Sequence, residues 1–130
     1  MEIGEILKKY EKIAVVGVSR DASKDSRRVY EYLKSHGFRV YPVNPNVDEI
    51  DGQKCYKSIL DIPYEIEIVD IFRPSSEVLP IVHEAVKKKA KVIWMQLGIV
   101  NEEAAELAGK NGMQAVMDRC IMAEHRKITS

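Results

Sequence analysis

Cysteine is scarce in this sequence. Among the 130 residues only Cys55 and Cys120 are cysteines, and neither belongs to a Cys-x-x-Cys pair. A structural zinc site is built from closely spaced cysteine and histidine ligands, so such a site is not expected. Two isolated cysteines in a domain of this size are typical of a reduced, cytoplasmic protein.

The sequence also lacks an excess of either charge and any long apolar run. Twenty Lys and Arg balance twenty Asp and Glu, so the formal net charge is zero. Because proteins that bind nucleic-acid duplexes carry a basic excess, nucleic acid is not an expected partner. No apolar run approaches the roughly 20 residues of a membrane helix, and the charged residues 1–12 lack the apolar core of a signal peptide. A cytoplasmic protein without membrane contact is predicted.

Apolar segments rich in β-branched residues alternate with amphipathic segments along the chain, without a repeat or a linker. Five strands are predicted, at residues 12–17, 38–43, 66–72, 92–96 and 113–117. Strands that are apolar on both faces are typical of a parallel sheet covered by helices on both sides. We therefore predict one α/β domain over residues 1–130, with a Rossmann-like, doubly wound parallel sheet in the strand order 3-2-1-4-5. A paired assembly is compatible with so small a fold, but the sequence does not decide it.

The connecting segments carry their own signals. Asp25 or Ser26 is predicted to cap the helix that precedes the second strand, and Gly37 to end it. Residues 47–63 are predicted as a loop with a turn at Asp51-Gly52 and one helical turn near residues 58–61. Residues 120–127 are predicted as a short helix.

Ligands of doubly wound sheets bind at the carboxyl ends of the strands, where the strand order reverses. In the predicted order, this point lies between the first and fourth strands. The polar and glycine residues of the sequence follow the predicted strand ends. This edge of the sheet is therefore the predicted binding site.

The stretch from Lys12 to Ser26 runs from an apolar strand into Gly17, but the second and third glycines of a GxGxxG fingerprint are missing. One glycine permits a tight turn or a close approach of the backbone to phosphate. Hydroxyl groups that can donate to phosphate follow at Ser19, Ser23 and Ser26. Basic side chains surround them at Arg20, Lys24, Arg27 and Arg28. As a group, these residues predict an anion-binding loop at the start of the following helix.

The second strand ends at Asn44-Pro45, where a NAD site places Asp or Glu to bind the ribose hydroxyls. A neutral amide followed by a rigid proline favours flat packing against a base or ribose. Since two fingerprint glycines are also missing, a NAD(P)- or nucleotide-dependent enzyme remains only an alternative.

Further candidates follow the third and fourth strands. Phe72-Arg73 offers an apolar ring and a guanidinium, and Gln96 offers an amide that needs partners when buried. Gly98 closes the fourth strand end. Catalytic patterns are scarce, because no nucleophile elbow and no HExxH motif occurs. Cys120 is the one candidate nucleophile, and a small buried hydrophobic residue is the alternative interpretation.

Five motifs in this order resemble a known family. They are VVGVS (Val15–Ser19), YPVNP (Tyr41–Pro45), VDIFRP (Val69–Pro74), IWMQLG (Ile93–Gly98) and MDRC (Met117–Cys120). The sequence resembles the small stand-alone CoA-binding domain proteins and the N-terminal CoA-binding domain of the succinyl-CoA synthetase α subunit. The resemblance covers the chain from Ile6 to Glu124.

This resemblance implies a Rossmann-like domain that binds coenzyme A. It gives the phosphate-facing role to Gly17, Val18, Ser19 and Arg20. It gives the nucleotide-end role to Asn44 and Pro45, and the pantetheine-facing role to Phe72, Arg73, Met95, Gln96 and Leu97. The synthetase also uses a phosphorylated histidine, a second domain and a partner subunit, which this sequence does not match. The expected function is therefore CoA or acyl-CoA binding without catalysis. A protein that forms a disulfide between Cys120 or Cys55 and the CoA thiol is a further alternative.

Overall fold

Five parallel strands form the centre of the fold in the computed structural model, which describes residues 1–129. Helices cover both faces of this sheet, and a two-stranded hairpin lies beside it. The strands are β1 (Lys12–Val16), β2 (Arg39–Val43), β3 (Glu49–Ile50), β4 (Gln53–Lys54), β5 (Ile68–Ile71), β6 (Val92–Met95) and β7 (Gln114–Val116). The α-helices are α1 (Ile3–Lys9), α2 (Asp25–Ser35), α3 (Val78–Lys88), α4 (Glu102–Lys110) and α5 (Ile121–Thr129). The predicted fold class is confirmed.

The predicted strand order is wrong in one respect. The observed order is β2-β1-β5-β6-β7, so the third long strand lies between the first and the fourth. Every residue of β5 is buried, whereas β2 begins with the exposed Arg39 and contains the half-buried Tyr41. The fully buried β5 therefore occupies the centre, and β2 forms an edge. The strand order reverses between β1 and β5, and this is where the binding crevice is expected.

Two apolar layers hold the helices to the sheet. One layer joins α1, α2 and α5 to a face that includes Val15 and Trp94. The other joins α3, α4 and a short 3-10 helix, Ile59–Asp61, to a face that includes Ala14 and Met95. Adjacent residues of one strand thus belong to opposite layers, as the twofold repeat of a strand requires. No helix within residues 1–129 is long and apolar enough to cross a membrane.

Four local predictions have different outcomes. The turn at Asp51-Gly52 is correct, but it joins the hairpin β3–β4, which the sequence analysis treats as loop. The predicted cap of α2 is wrong, because Lys24 is the N-cap and has no side-chain capping bond. The Ser26 hydroxyl accepts a hydrogen bond from the Ser19 N–H instead, at 2.9 Å. The helical turn near residues 58–61 and the tail helix are confirmed.

Candidate functional site

Gly17 brings the ends of β1 and β5 unusually close together. Its N–H donates to the Val43 carbonyl at 2.8 Å, and its backbone has φ +94°. A Cβ atom at this position would lie 3.1 Å from Arg73 Cδ and 3.3 Å from the Phe72 carbonyl carbon and oxygen. Glycine is therefore required both for the backbone conformation and for the close approach of the Phe72-Arg73 segment.

The polar residues after Gly17 fold the loop upon itself. The Asp21 N–H donates to Ser19 Oγ at 3.0 Å, and the N–H and hydroxyl of Ser23 both donate to Asp21 Oδ1, at 2.9 and 2.7 Å. The backbone hydrogen bond from Ser23, followed by its hydroxyl, lowers the pKa of the Asp21 carboxyl. Ser19, Ser23 and Ser26 therefore hold the shape of the loop, and their oxygen atoms already accept or bridge hydrogen bonds within it.

Arg27 anchors the loop and borders a surface opening between α2 and α5. Its side chain is 10% exposed and pairs with Glu31 at 3.1 Å and with Asp51 at 2.6 Å. Its third bond goes to the Arg20 carbonyl at 2.9 Å. Because every edge of the guanidinium has a partner, Arg27 links α2 to the loop and to the β3–β4 turn.

We expect Arg27→Lys to lower the free energy of unfolding by about 1–2 kcal/mol, because an ammonium group cannot bind three partners in the planar geometry of a guanidinium. Arg28→Lys is the matched control, since Arg28 is exposed and pairs only with the neighbouring Asp25. For it we expect a change below about 0.5 kcal/mol. Urea unfolding of the two variants measures the difference, and equal losses would contradict the anchoring role.

Three cations at this edge make no direct ion pair within residues 1–129. Arg20 donates only to the Asn46 carbonyl, at 3.2 Å, and Arg126 lies over the Tyr32 ring at 5.1 Å. Lys24 is exposed at the N-cap of α2. The first turn of α2 adds backbone N–H groups that lack intrahelical acceptors. Arg20, Lys24 and these N–H groups therefore offer positive charge at this edge, next to the carboxyl groups of Asp21 and Asp25.

Asn44 joins the ends of β1 and β2. Its amide nitrogen donates to the Val18 carbonyl at 2.9 Å, and its amide oxygen accepts from the Asn46 N–H at 2.9 Å. The amide is therefore occupied by the protein. Pro45 is exposed beside it, on the wall of a cleft.

We call this opening the α3 cleft. It has a volume of about 330 Å³ and lies between the ends of β1 and β2 and the first turns of α3. Its lining residues include Gly17, Pro45, Ser58, Arg73, Ser76 and Ile81. The parallel bridge between Val43 and Tyr56 places the Lys57-Ser58 segment on this wall, a contact that the sequence does not signal.

A second opening, the α5 cleft, lies on the opposite face of the sheet. Its volume is about 450 Å³. It is lined by Asp25, Arg28, Val29, Phe72, Gln96, Leu97, Cys120, Met122 and Arg126. Phe72 and Arg73 are neighbours in sequence but line different clefts, so the Gly17 loop and the Phe72-Arg73 segment form a ridge between the two. A third opening, between α3 and α4 beside His83, lies away from the strand ends.

The remaining predicted site residues differ in their exposure. Val18 and Met95 are fully buried in the two apolar layers, whereas Leu97 is 66% exposed. Gly98 has φ +79°, and its N–H donates to Asp118 Oδ1 at 2.7 Å. Met122 and Arg126 on α5 are the contributors that the sequence analysis missed. The only sequence signal for them is the helical spacing of Ile121, His125 and Ile128. This spacing predicts that one face of α5 packs against the rest of the protein.

Asp70 is the one fully buried carboxyl at this centre of the sheet. It lies on β5 in register with Val15 of β1 and Trp94 of β6, inside the α2 and α5 layer. Neither carboxyl oxygen has a hydrogen-bond partner within residues 1–129. Desolvation raises the pKa of Asp70 well above its ordinary value. Burial therefore favours the protonated form of Asp70 in the core, two residues before the ridge.

The described residues contain no group of three or more His, Cys, Asp or Glu side chains that is placed to hold a metal ion. His125 is buried and bonds through Nδ1 to the Tyr32 hydroxyl at 2.8 Å, in an aromatic cluster with His36. The two clefts combine apolar walls with polar groups, and on the ridge between them Arg73 pairs with Glu77 at 2.8 Å.

Residues 11–126 match the family model described as "CoA binding domain". YneT from Bacillus subtilis (strain 168) is 38% identical over 124 residues, which cover 95% of this chain and 92% of YneT. The alpha subunit of ADP-forming acetate–CoA ligase II from Pyrococcus furiosus is 34% identical over 120 residues, which cover 84% of this chain. The alignment covers 26% of that subunit, so the chain spans about a quarter of this ligase relative.

The similar solved structures also include a small protein matched over most of its length and a larger synthetase matched over about a quarter of its length. A hypothetical protein from Pyrococcus horikoshii OT3 has a TM-score of 0.95 at 45% identity, with coverage of 98% of this chain and 90% of that chain. The dinucleotide-forming acetyl-coenzyme A synthetase 1 of Ca. Korarchaeum cryptofilum, in complex with phosphate and ADP, has a TM-score of 0.76 at 34% identity. The match covers 85% of this chain and 26% of the synthetase chain. These matches confirm the resemblance predicted from the five sequence motifs.

Proposed function

The chain belongs to the family of CoA-binding domains, and from that premise we propose that it binds coenzyme A across the carboxyl edge of its sheet. The observation that carries the proposal is the ridge at Gly17, which separates two clefts and approaches both through Phe72 and Arg73. Coenzyme A is long, with an adenosine nucleotide at one end, a diphosphate in the middle and a thiol-bearing pantetheine arm at the other. An extended ligand of this kind matches two clefts joined by a ridge that carries the exposed cations Arg20 and Lys24.

The nucleotide end is assigned to the α3 cleft. Pro45 and Ile81 supply apolar contacts there, and Ser58 and Ser76 supply hydroxyl groups. The diphosphate is assigned to the ridge, where Arg20, Lys24 and the free N–H groups of α2 supply positive charge. In this arrangement Asn44 and Arg27 are positioning residues, because their polar groups bind the loop.

The pantetheine arm is assigned to the α5 cleft. Phe72, Leu97 and Met122 offer an apolar wall for its methylene groups. Gln96 lies at the base of this wall, and its amide group suits the amides of the arm. Of the predicted pantetheine-facing residues, the fully buried Met95 supports the wall from within the opposite layer.

We infer that the chain acts as a binding module rather than as an enzyme. The matched region makes up between 11% and 26% of the length of the ligase relatives, so their activity is not transferred. The alternative of a NAD(P)-dependent enzyme is disfavoured by the end of β2, where the Asn44 amide is occupied and no carboxylate replaces it at that position.

Isothermal titration calorimetry with CoA, ADP and NAD tests the proposal. We expect CoA to bind, ADP to bind more weakly because it fills only the α3 cleft and ridge, and NAD to bind most weakly. Arg20→Ala is expected to weaken CoA binding about 10-fold, since it removes one charge-assisted contact to the diphosphate. Arg39→Ala is the control, because Arg39 is an exposed arginine at the opposite, amino end of β2.

Two results would overturn the assignment. One is the absence of CoA binding at millimolar ligand concentration. The other is tighter binding of NAD than of CoA, which would restore the nucleotide-dependent alternative.

A further inference from the structure

The geometry points to Cys120 as a site of reversible disulfide exchange with the thiol end of the ligand. This inference rests on the proposed function, because it takes the pantetheine arm to lie in the α5 cleft. The reaction is exchange between the Cys120 thiol and the disulfide form of coenzyme A. The product is a mixed disulfide that holds one CoA on the protein.

Cys120 lies on the wall of the α5 cleft, immediately before α5. The Cys120 side chain is partly exposed. Phe72, on the ridge, and Leu97, after the end of β6, border the same cleft. Arg28 and Arg126 border this opening as well. Arg28 pairs with Asp25, which also lines the cleft, so Arg126 is the cation available to the phosphates of a CoA disulfide beside the Cys120 thiol.

Gln96 provides an independent sign that this cleft holds a polar ligand. Its side chain is buried, with 4% of the residue exposed, and Oε1 accepts from the Ile121 N–H at 3.0 Å. Nε2 donates to no acceptor within residues 1–129, and it is not among the buried side-chain atoms that lack a partner, so it is accessible from the α5 cleft that Gln96 lines. A pantetheine carbonyl in the cleft would accept a hydrogen bond from this amide group.

The same bond places Gln96 beside Cys120. Ile121, which donates to Gln96, is the next residue after Cys120, so the amide and the thiol are held at the start of α5. An arm whose carbonyl accepts from Gln96 therefore brings its terminal sulfur to the side of the cleft that contains Cys120. Proximity of this kind accelerates exchange between the two sulfurs.

The exchange is balanced without another reactant. The Cys120 thiol loses its proton, the thiolate attacks one sulfur of CoA disulfide, and the S–S bond of that disulfide breaks. The departing CoA thiolate takes up a proton. The products are one Cys120–CoA mixed disulfide and one reduced CoA, and a free thiol reverses the reaction.

Cys55 is the internal control that the chain offers. It is 4% exposed, and its thiol contacts the Asn44 carbonyl at 3.8 Å rather than the α5 cleft. Burial raises the pKa of the Cys55 thiol, which lowers its reactivity as a nucleophile. Selective modification of Cys120 is therefore expected when both thiols are reduced.

Intact-mass spectrometry after incubation with CoA disulfide tests the proposal. We expect a single adduct with the mass of one CoA less two hydrogens, which peptide mapping assigns to Cys120 and dithiothreitol removes. Cys120→Ser is expected to form no adduct, and Cys55→Ala to form it as the wild type does. Glutathione disulfide is expected to react at least about 10-fold more slowly, because it lacks the groups that bind the clefts.

Titration of the same proteins with reduced CoA separates this proposal from the proposed function. If CoA binds but Cys120 forms no adduct, if the adduct lies on Cys55, or if both disulfides react equally fast, the exchange proposal is wrong and CoA binding stands. If CoA does not bind in the titration, the proposed function fails as well. Because peptide mapping of the wild type identifies the modified thiol, the result does not depend on the folding of either variant.

Discussion

Replacing Asp70 with asparagine is expected to raise the free energy of unfolding at pH 7 by about 2 kcal/mol or more. Asp70 lies between Val15 and Trp94 in the centre of the sheet, and its carboxyl oxygens are without partners in residues 1–129. In the folded protein this acid must either remain neutral or ionise without solvation, whereas in the unfolded chain it ionises freely. Asparagine has nearly the same shape and removes this difference.

The sign of the pH dependence follows from the raised pKa of Asp70. Above the unfolded pKa of about 3.9 the unfolded chain loses the proton while the folded protein keeps it, so the unfolded state gains stability as the pH rises. The wild type therefore has its full stability from this group below about pH 3.9 and loses about 1.4 kcal/mol per pH unit above it, up to the folded pKa. The stability advantage of Asp70→Asn should grow with pH at the same rate.

Urea unfolding of the wild type and Asp70→Asn at pH 5, 6 and 7 measures this difference. Asp61→Asn is the matched control, because Asp61 is exposed at the surface, and its substitution is expected to change stability by less than about 0.5 kcal/mol at each pH. A variant that is less stable than the wild type at pH 7 would contradict the argument. So would an advantage that stays constant between pH 5 and 7.

The second large effect is expected from Gly17→Ala. The backbone at φ +94° is strained for any residue with a Cβ atom, which costs about 1–2 kcal/mol of stability. The new methyl group also meets backbone atoms of Phe72 and the stem of Arg73 at 3.1–3.3 Å. Because backbone cannot move aside as a side-chain end can, the ridge must shift, and with it the contacts that it offers to both clefts. We expect CoA affinity to fall at least about 10-fold, or about 1.4 kcal/mol.

Gly37→Ala separates the two causes. Gly37 has nearly the same backbone conformation, at φ +90°, but a Cβ atom there has no neighbour within 4 Å. It also lies at the amino end of β2, away from the ridge. Gly37→Ala should therefore be destabilised by the backbone strain alone. Its CoA affinity should equal that of the wild type. Calorimetric titration and thermal unfolding of both variants measure this. Wild-type affinity in Gly17→Ala would show that the ridge is not part of the site.

The outcome for β5 illustrates what a linear pattern leaves open. The segment containing Asp70 is correctly predicted as a buried strand, yet its position between β1 and β6 is not. Strand order depends on how much of each strand the two helical layers cover, and β2 carries exposed side chains that are tolerated only at an edge. The sequence of a strand indicates which of its faces are buried but not which strands lie beside it. The strand order therefore reverses between β1 and β5 and not, as predicted, between the first and fourth strands.

The predicted binding residues Arg27 and Asn44 show the same limit for side chains. Arg27 and Asn44 are polar residues at strand and helix ends, and the pattern predicts them as ligand-binding groups. In the structure their hydrogen bonds go to Arg20, Val18, Glu31 and other parts of the protein, which the pattern does not indicate. Whether a polar group is free or occupied depends on partners that are distant in sequence, such as Asp51 for Arg27. No local signal reports such a pairing.

By itself the sequence determined the fold class, the five strands of the main sheet and the helices that flank them, the single required glycine at the end of β1 and the family to which the chain belongs. Each of these follows from the periodicity of apolar residues or from short motifs, which are local properties of the chain. Only the tertiary structure decided that Gly17 faces Phe72 and Arg73, that two clefts meet at this ridge, and that α5 brings Cys120 and Arg126 to one of them. These are contacts between distant segments, and they are set by which buried surfaces pack against each other rather than by any segment alone.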